Sequence, residues 1–168
     1  MKRLTVMTGP VHSEKSTKAL RIARRYERLG HSVVLLRPRI SVRDYEREGY
    51  LTTKNGSEFQ STEYNSIMEI EGLCTGHDVV WLDEIMLAAL QEPGKQRQAF
   101  TMIQRIRERS IVLISGLSAT SEMEVFSDLM AWLLAVADEI VQKKADCDVC
   151  GEFEAATRSI CMKDKDGQ

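Results

Sequence analysis

The stretch GPVHSEKST, residues 9–17, departs by one letter from the phosphate-binding pattern G-x-x-x-x-G-K-[ST]. Gly9 is in place, four residues follow, and then Glu14 stands where the second glycine belongs, ahead of Lys15 and Ser16. The stretch leaves a short apolar run, Leu4-Thr5-Val6-Met7-Thr8, that reads as a buried strand. It enters a segment in which Ala19, Leu20, Ile22, Ala23 and Tyr26 share one helical face and arginines fill the other. A strand–loop–helix of this kind lets backbone N–H groups and a helix N-terminus converge on phosphate. In that reading Lys15 reaches the outer phosphates and Ser16 ligates Mg²⁺. Taken alone, the stretch reads equally well as a strand–turn–helix with a capping serine.

The rest of the chain supplies the context. Gly30 ends the first helix, Ser32–Leu36 is a second apolar strand, and Pro38 closes it. Residues 39–56 are polar and irregular, a loop with room for a hairpin. Ile67–Leu73 reads as a short helix, Asp78–Leu82 as a third strand, Gln96–Glu108 as a helix and Ile111–Ile114 as a fourth strand. Val125–Val136 reads as an amphipathic helix with Phe126, Leu129, Met130 and Leu133 inward, and Glu139–Val141 as a last strand. Apolar strands alternating with helices predict an α/β fold, a P-loop NTPase-like parallel sheet flanked by helices. The expected division is a P-loop α/β domain over residues 1–143 and a short zinc-binding-like segment over 144–168.

A second signal joins the first. VVWLDE, residues 79–84, sets Asp83 at the end of an apolar strand, where it holds a Mg²⁺-bound water beside a loop serine. Glu84, next to it, is placed to act as general base on a substrate hydroxyl. By itself an acidic pair after a strand is a solvated strand end. A third signal is Cys147-Asp148-Val149-Cys150, with zinc-knuckle spacing, followed by Cys161 and then by Asp164 as a weaker fourth ligand. The competing reading is two surface thiols and a chance third. Cys74 stands apart as a buried thiol, and His12, His31 and His77 form no metal pattern.

Composition narrows the setting. A net charge of −2 gives no electrostatic reason for nonspecific binding to nucleic acid or membrane. The basic N-terminus, Met1-Lys2-Arg3, precedes an apolar run too short for a signal peptide, and no stretch is long enough to span a bilayer. The expectation is a cytoplasmic protein whose cysteines bind metal or are buried rather than paired as disulfides.

These residues together resemble the zinc-containing (type II) thymidine kinases. That family's loop reads G-P-M-F-S-G-K-[ST]-[ST]-E-L, and Gly9, Pro10, Ser13, Lys15, Ser16 and Thr17 match it. The resemblance implies that Gly9, Ser13, Lys15, Ser16, Thr17 and Asp83 bind Mg-ATP and that Glu84 is the catalytic base. The family's C-x-x-C followed by A-x-T is matched by Cys147, Cys150, Ala155 and Thr157, which implies Zn²⁺ at Cys147, Cys150 and Cys161. It further implies a nucleotide or nucleoside as partner and a homotetramer.

The departures are as informative. The family's G-L-D-G-T-F-Q-R-K-P-F, which helps to build the nucleoside pocket, is here Gly116-Leu117-Ser118-Ala119-Thr120-Ser121-Glu122-Met123-Glu124-Val125-Phe126. The aspartate, the stacking phenylalanine and the basic pair are gone. Ile85 and Met86 replace a glutamine–phenylalanine pair, and the D-x-R after the second strand is half kept as Ser41-Val42-Arg43. Only ten residues separate Cys150 from Cys161, too few for the lasso that closes over thymidine. A Cβ at position 14 costs about 1–2 kcal/mol if the loop keeps its left-handed conformation. A carboxylate turned inward, about 5 Å from a phosphate charge, adds roughly 3 kcal/mol at ε ≈ 20. Two readings result: a catalytically impaired homologue that binds or serves structurally, or an active ATP-dependent deoxynucleoside kinase.

Overall fold

A parallel strand covered by helices on both sides must be apolar on both faces. The sequence meets that demand in three runs, which become the strands β1 (Leu4–Thr8), β6 (Val79–Asp83) and β7 (Ile111–Gly116). The computed structural model describes residues 1–43, 46–157 and 159. Between β1 and β6 come the helix α1 (Lys15–Arg28), β2 (Val33–Pro38), the hairpin β3 (Tyr50–Thr52) and β4 (Glu58–Gln60), β5 (Thr62–Tyr64) and the single turn α2 (Ile70–Leu73). After β6 come α3 (Ile85–Gln91) and α4 (Gln96–Arg109), and after β7 come α5 (Asp128–Ala135) and β8 (Glu139–Gln142). Six strands form one sheet in the order β5-β2-β6-β7-β1-β8, every pairing parallel. This is the α/β architecture expected from the sequence.

The alternation of side chains along a strand divides the core in two. Leu4, Val6, Val80, Leu82, Val112 and Ile114 face one way, against Ile85, Met86 and Ala89 of α3, Met102, Ile103 and Ile106 of α4, and Leu129 and Leu133 of α5. Met7, Leu35, Val79, Trp81 and Leu113 face the other way, against Ala19, Leu20 and Ala23 of α1 and against Leu51 and Phe59 of the hairpin. Trp81 is fully buried and meets Phe59 edge to face, with ring centroids 5.8 Å apart.

Two elements differ from the sequence expectation. α3 begins directly after Glu84, where no helix was expected. It is short and buried on several sides, so it lacks the one-sided stripe that marks a surface helix. α5 starts at Asp128, later than Val125, because the Ser127 hydroxyl accepts a hydrogen bond from the Met130 N–H at 3.2 Å and caps it there. Leu129, Met130 and Leu133 are buried as expected, and Phe126 packs against the core from outside the helix.

The order β6-β7-β1 fixes the site. The loop after β1 and the acidic pair after β6 emerge at the same carboxyl edge of the sheet, with the end of β7 between them. Ligands of open α/β sheets bind at that edge.

Candidate nucleotide site

The loop after β1 needs glycine at its first position. A Cβ on Gly9 would lie 2.4 Å from the Lys143 carbonyl oxygen and 2.8 Å from Ser13 Oγ, so the close approach of β8's exit strand excludes any side chain. Farther on the backbone turns left-handed twice, at His12 (φ 68°) and at Glu14 (φ 58°, ψ 29°). Glu14 is the N-cap of α1 and gives it no side-chain hydrogen bond. Its side chain is exposed, on the wall of the cavity that the loop borders. Lys15 folds back into the loop, donating to the Pro10 carbonyl at 2.7 Å and to Ser13 Oγ at 3.4 Å. Burial holds the Lys15 ammonium below its ordinary pKa, against the opposing pull of the Glu84 and Asp83 carboxylates.

Asp83 closes the arrangement. It is buried, and its Oδ1 accepts from Ser16 Oγ at 3.3 Å and from Ser115 Oγ. Ser115 Oγ in turn accepts from Trp81 Nε1 at 2.7 Å. Burial pushes the Asp83 carboxyl up, and the two serine hydroxyls oppose that push. Glu84 is left-handed (φ 52°, ψ 32°), and its N–H donates to the Ser115 carbonyl at 2.7 Å. Burial, followed by the neighbouring Asp83 charge, raises the Glu84 carboxyl to about 7, with Lys15 and Arg43 pulling the other way. The site residues read from the sequence therefore gather at one place: Ser13, Lys15, Ser16, Thr17, Asp83 and Glu84 line a cavity of about 360 Å³, and Gly9 lies beneath it against Ser13.

The far wall was only partly legible in the sequence, through Ser41-Val42-Arg43 and the room for a hairpin within 39–56. Residues 40–43, Glu46 and residues 51–54 of the hairpin roof the cavity, and Leu87 and Leu117 close its apolar side. An ion pair anchors this roof: Arg37 Nη1 lies 2.6 Å from Glu46 Oε2, with both side chains essentially inaccessible to solvent. The same Glu46 carboxylate accepts from the Arg43 N–H at 3.0 Å and the Thr52 N–H at 3.2 Å, and Arg37 Nη2 donates to the Tyr50 carbonyl at 3.0 Å. One buried pair thus ties the end of β2 to the strap and to the hairpin.

The segment after β7 does not reach the cavity beyond Leu117. It doubles back through an Ala119–Val125 bridge and exposes Glu122, Met123, Glu124 and Val125. Among the described residues, the cavity wall holds no Phe, Tyr or Trp.

Cys147 and Cys150 lie elsewhere, in a tight turn closed by Gly151 N–H to the Cys147 carbonyl at 2.7 Å and Cys147 N–H to the Glu152 carbonyl at 3.0 Å. The backbone N–H groups of Cys150 and Val149 point at the Cys147 sulfur and hold its thiol pKa below the ordinary value. Cys161, and with it Asp164, lies outside the described residues. Among the described residues no three metal-ligating side chains gather.

A parallel sheet with a lysine-bearing loop at the carboxyl edge of one strand and an Asp–Glu pair at the edge of another, bridged by a serine hydroxyl, defines an α/β protein of the P-loop class. The thymidine kinase family model matches residues 2–167. The thymidine kinase of Mycoplasma genitalium is 28% identical over 160 residues, which cover 94% of this chain and 70% of the relative. That of Pyrobaculum aerophilum is 26% identical over 94% of this chain and 82% of its own length, and that of Roseiflexus sp. 30% over 94% and 78%. The chain belongs to the thymidine kinase family, as a divergent member. Among the described residues no helix is long and apolar enough to cross a membrane.

Proposed function

We propose that this chain is a thymidine kinase homologue that keeps the frame of the Mg-ATP site but is impaired in phosphoryl transfer, acting as a nucleotide- or nucleoside-binding or structural homologue. One observation carries the reading: Lys15, Ser16, Asp83 and Glu84 line the phosphate end of the cavity beside a Glu14 that replaces the pattern glycine, whereas among the described residues the remaining wall offers no aromatic ring for a base. A nucleobase is held by stacking, worth about 1–3 kcal/mol per base. The left-handed Glu14 at the mouth of the phosphate loop adds its conformational cost and a like charge.

Each residue has a role in this reading. Lys15 meets the outer phosphates, and Gly9, Ser13 and Thr17 shape the loop around them. Ser16 Oγ and the Asp83 carboxylate, 3.3 Å apart, are hard oxygen donors that suit Mg²⁺. When bound, that ion neutralises charge on the phosphates. Glu84 is the base that would take the proton of an acceptor hydroxyl. Cys147 and Cys150 suit Zn²⁺, because backbone N–H groups directed at a sulfur stabilise its thiolate. Cys161 would be a third ligand, in a short zinc-binding-like segment proposed over 144–168 after a P-loop α/β domain over 1–143. Assembly as a homotetramer and a cytoplasmic setting belong to the same proposal.

The second reading, an active deoxynucleoside kinase, is favoured by the position of the Glu84 carboxyl on the cavity wall beside Lys15. Calorimetry with Mg-ATP and a radiolabel transfer assay over the common deoxynucleosides separate the two. Impairment predicts binding weaker than micromolar and no transfer above a Lys15→Ala control. Transfer well above that control establishes the kinase instead.

A further inference from the structure

Ser115 sits at the end of β7, between the strand that carries the phosphate loop and the strand that carries Asp83. It is fully buried, and three of its bonds are directed at the site. Its hydroxyl oxygen accepts from Trp81 Nε1 at 2.7 Å. An indole nitrogen can only donate, so the hydroxyl's own proton is free for another acceptor. That acceptor is Asp83 Oδ1, the oxygen that also takes the Ser16 hydroxyl proton. Its backbone carbonyl accepts the Glu84 N–H at 2.7 Å, inside the left-handed turn. A single residue therefore holds both members of the acidic pair, the Asp83 carboxylate through its side chain and the Glu84 backbone through its main chain.

We propose that Ser115 is the positioning residue of the metal end of this site: with the Trp81 indole fixing the direction of its hydroxyl, it turns the Asp83 carboxylate toward Ser16, where a Mg²⁺-nucleotide would be held. The inference rests on the reading of Asp83 and Ser16 as the Mg²⁺-holding pair. Ser115 touches neither metal nor nucleotide and acts through Asp83. Without the hydroxyl, Asp83 loses the donor that restrains it from the sheet side and its carboxylate swings away from Ser16.

Two measurements on the full chain test this, with Ser115→Ala and Ser115→Thr. The first is the crystal structure of metal-free Ser115→Ala: the Asp83–Ser16 contact is expected to open beyond hydrogen-bond distance, and its persistence at the wild-type separation overturns the proposal. The second is binding of ADP with and without Mn²⁺, followed in both cases by titration calorimetry carried to millimolar nucleotide. Ser115→Ala is expected to cut the Mn²⁺-dependent gain in ADP affinity by about tenfold, as befits loss of one hydrogen bond to a charged group. Metal-free ADP affinity should not move, and Ser115→Thr should restore the gain. An equal loss with and without metal means that Ser115 is merely structural, which overturns the proposal. If the wild type shows no Mn²⁺-dependent gain, the nucleotide reading of the site fails, and the crystal structure alone decides the role of Ser115.

Discussion

Two strand-to-helix turns border the cavity at the same edge of the sheet, and each places a glutamate in the left-handed region. Glu14 (φ 58°, ψ 29°) links β1 to α1, and Glu84 (φ 52°, ψ 32°) links β6 to α3. Neither side chain caps the helix it precedes. The backbone cost is the same for both, about 1–2 kcal/mol for a residue with a Cβ. What surrounds them differs. The Glu84 N–H is tied to the Ser115 carbonyl, and its carboxyl is buried enough to be pushed up to about 7. Glu14 occupies the position of a pattern glycine and is exposed. The same strain is thus embedded in a buried, hydrogen-bonded acidic cluster at one turn and lies in an exposed loop at the other.

The two turns share a roof, so breaking the roof should have the largest effect. Glu46→Ala would leave the buried Arg37 guanidinium without its close partner, with only Glu63 Oε1 at 3.8 Å from Nη2 as a remaining carboxylate. Removing one member of a buried pair costs about 3–5 kcal/mol, to be read from urea unfolding. Amide exchange should accelerate first at Arg43 and Thr52, whose N–H groups Glu46 accepts. An Arg37→Met, Glu46→Leu double variant should recover most of the loss. If Glu46→Ala unfolds at the wild-type urea concentration, the roof is not held by this pair.

Titration sharpens the contrast between the turns. A carboxyl near 7 in the folded state and near 4.5 otherwise binds its proton more tightly when folded. Its stabilisation is therefore complete below about pH 4.5 and is lost as pH rises toward 7. In the metal-free protein, wild type should lose up to about 3 kcal/mol more than Glu84→Gln over that window. The comparison with Glu84→Gln removes the titrations common to both proteins. Parallel stability curves for the two would place the Glu84 carboxyl in water.

The same contrast explains what a reader of the chain could see. β1, β6 and β7 were legible because burial on both faces demands continuous apolar runs, and α1 because its arginines leave one apolar stripe. The loop residues and Asp83-Glu84 were legible because each lies directly after such a run. β5 is three residues at a sheet edge, and the hairpin's strands are as short, so neither carries a periodic signal. Nothing in the sequence singles out Arg37, at the end of an apolar strand, or Glu46, in a polar loop, and only tertiary structure pairs them inside. Ser115 was invisible for another reason: its partners Trp81 and Asp83 stand 34 and 32 positions away, and a serine ending a strand announces nothing locally.

The smallest effect belongs to Glu14, and it separates strain from charge. Glu14→Gly removes both the Cβ and the carboxylate, whereas Glu14→Ala removes the charge and keeps the left-handed cost. Glycine should raise stability by about 1 kcal/mol over alanine in thermal unfolding. Because the Glu14 carboxylate is exposed, its repulsion toward phosphate is screened and falls well short of the inward-facing figure. Calorimetry with Mg-ATP should accordingly find a modest gain for Glu14→Ala, about threefold, and about tenfold for Glu14→Gly, whose loop can close on phosphate without a Cβ. If alanine alone restores tight binding, charge was the lesion and the left-handed turn is harmless. If neither variant gains affinity, neither the charge nor the strain at Glu14 limits binding, and the two glutamate turns are equivalent scaffolding.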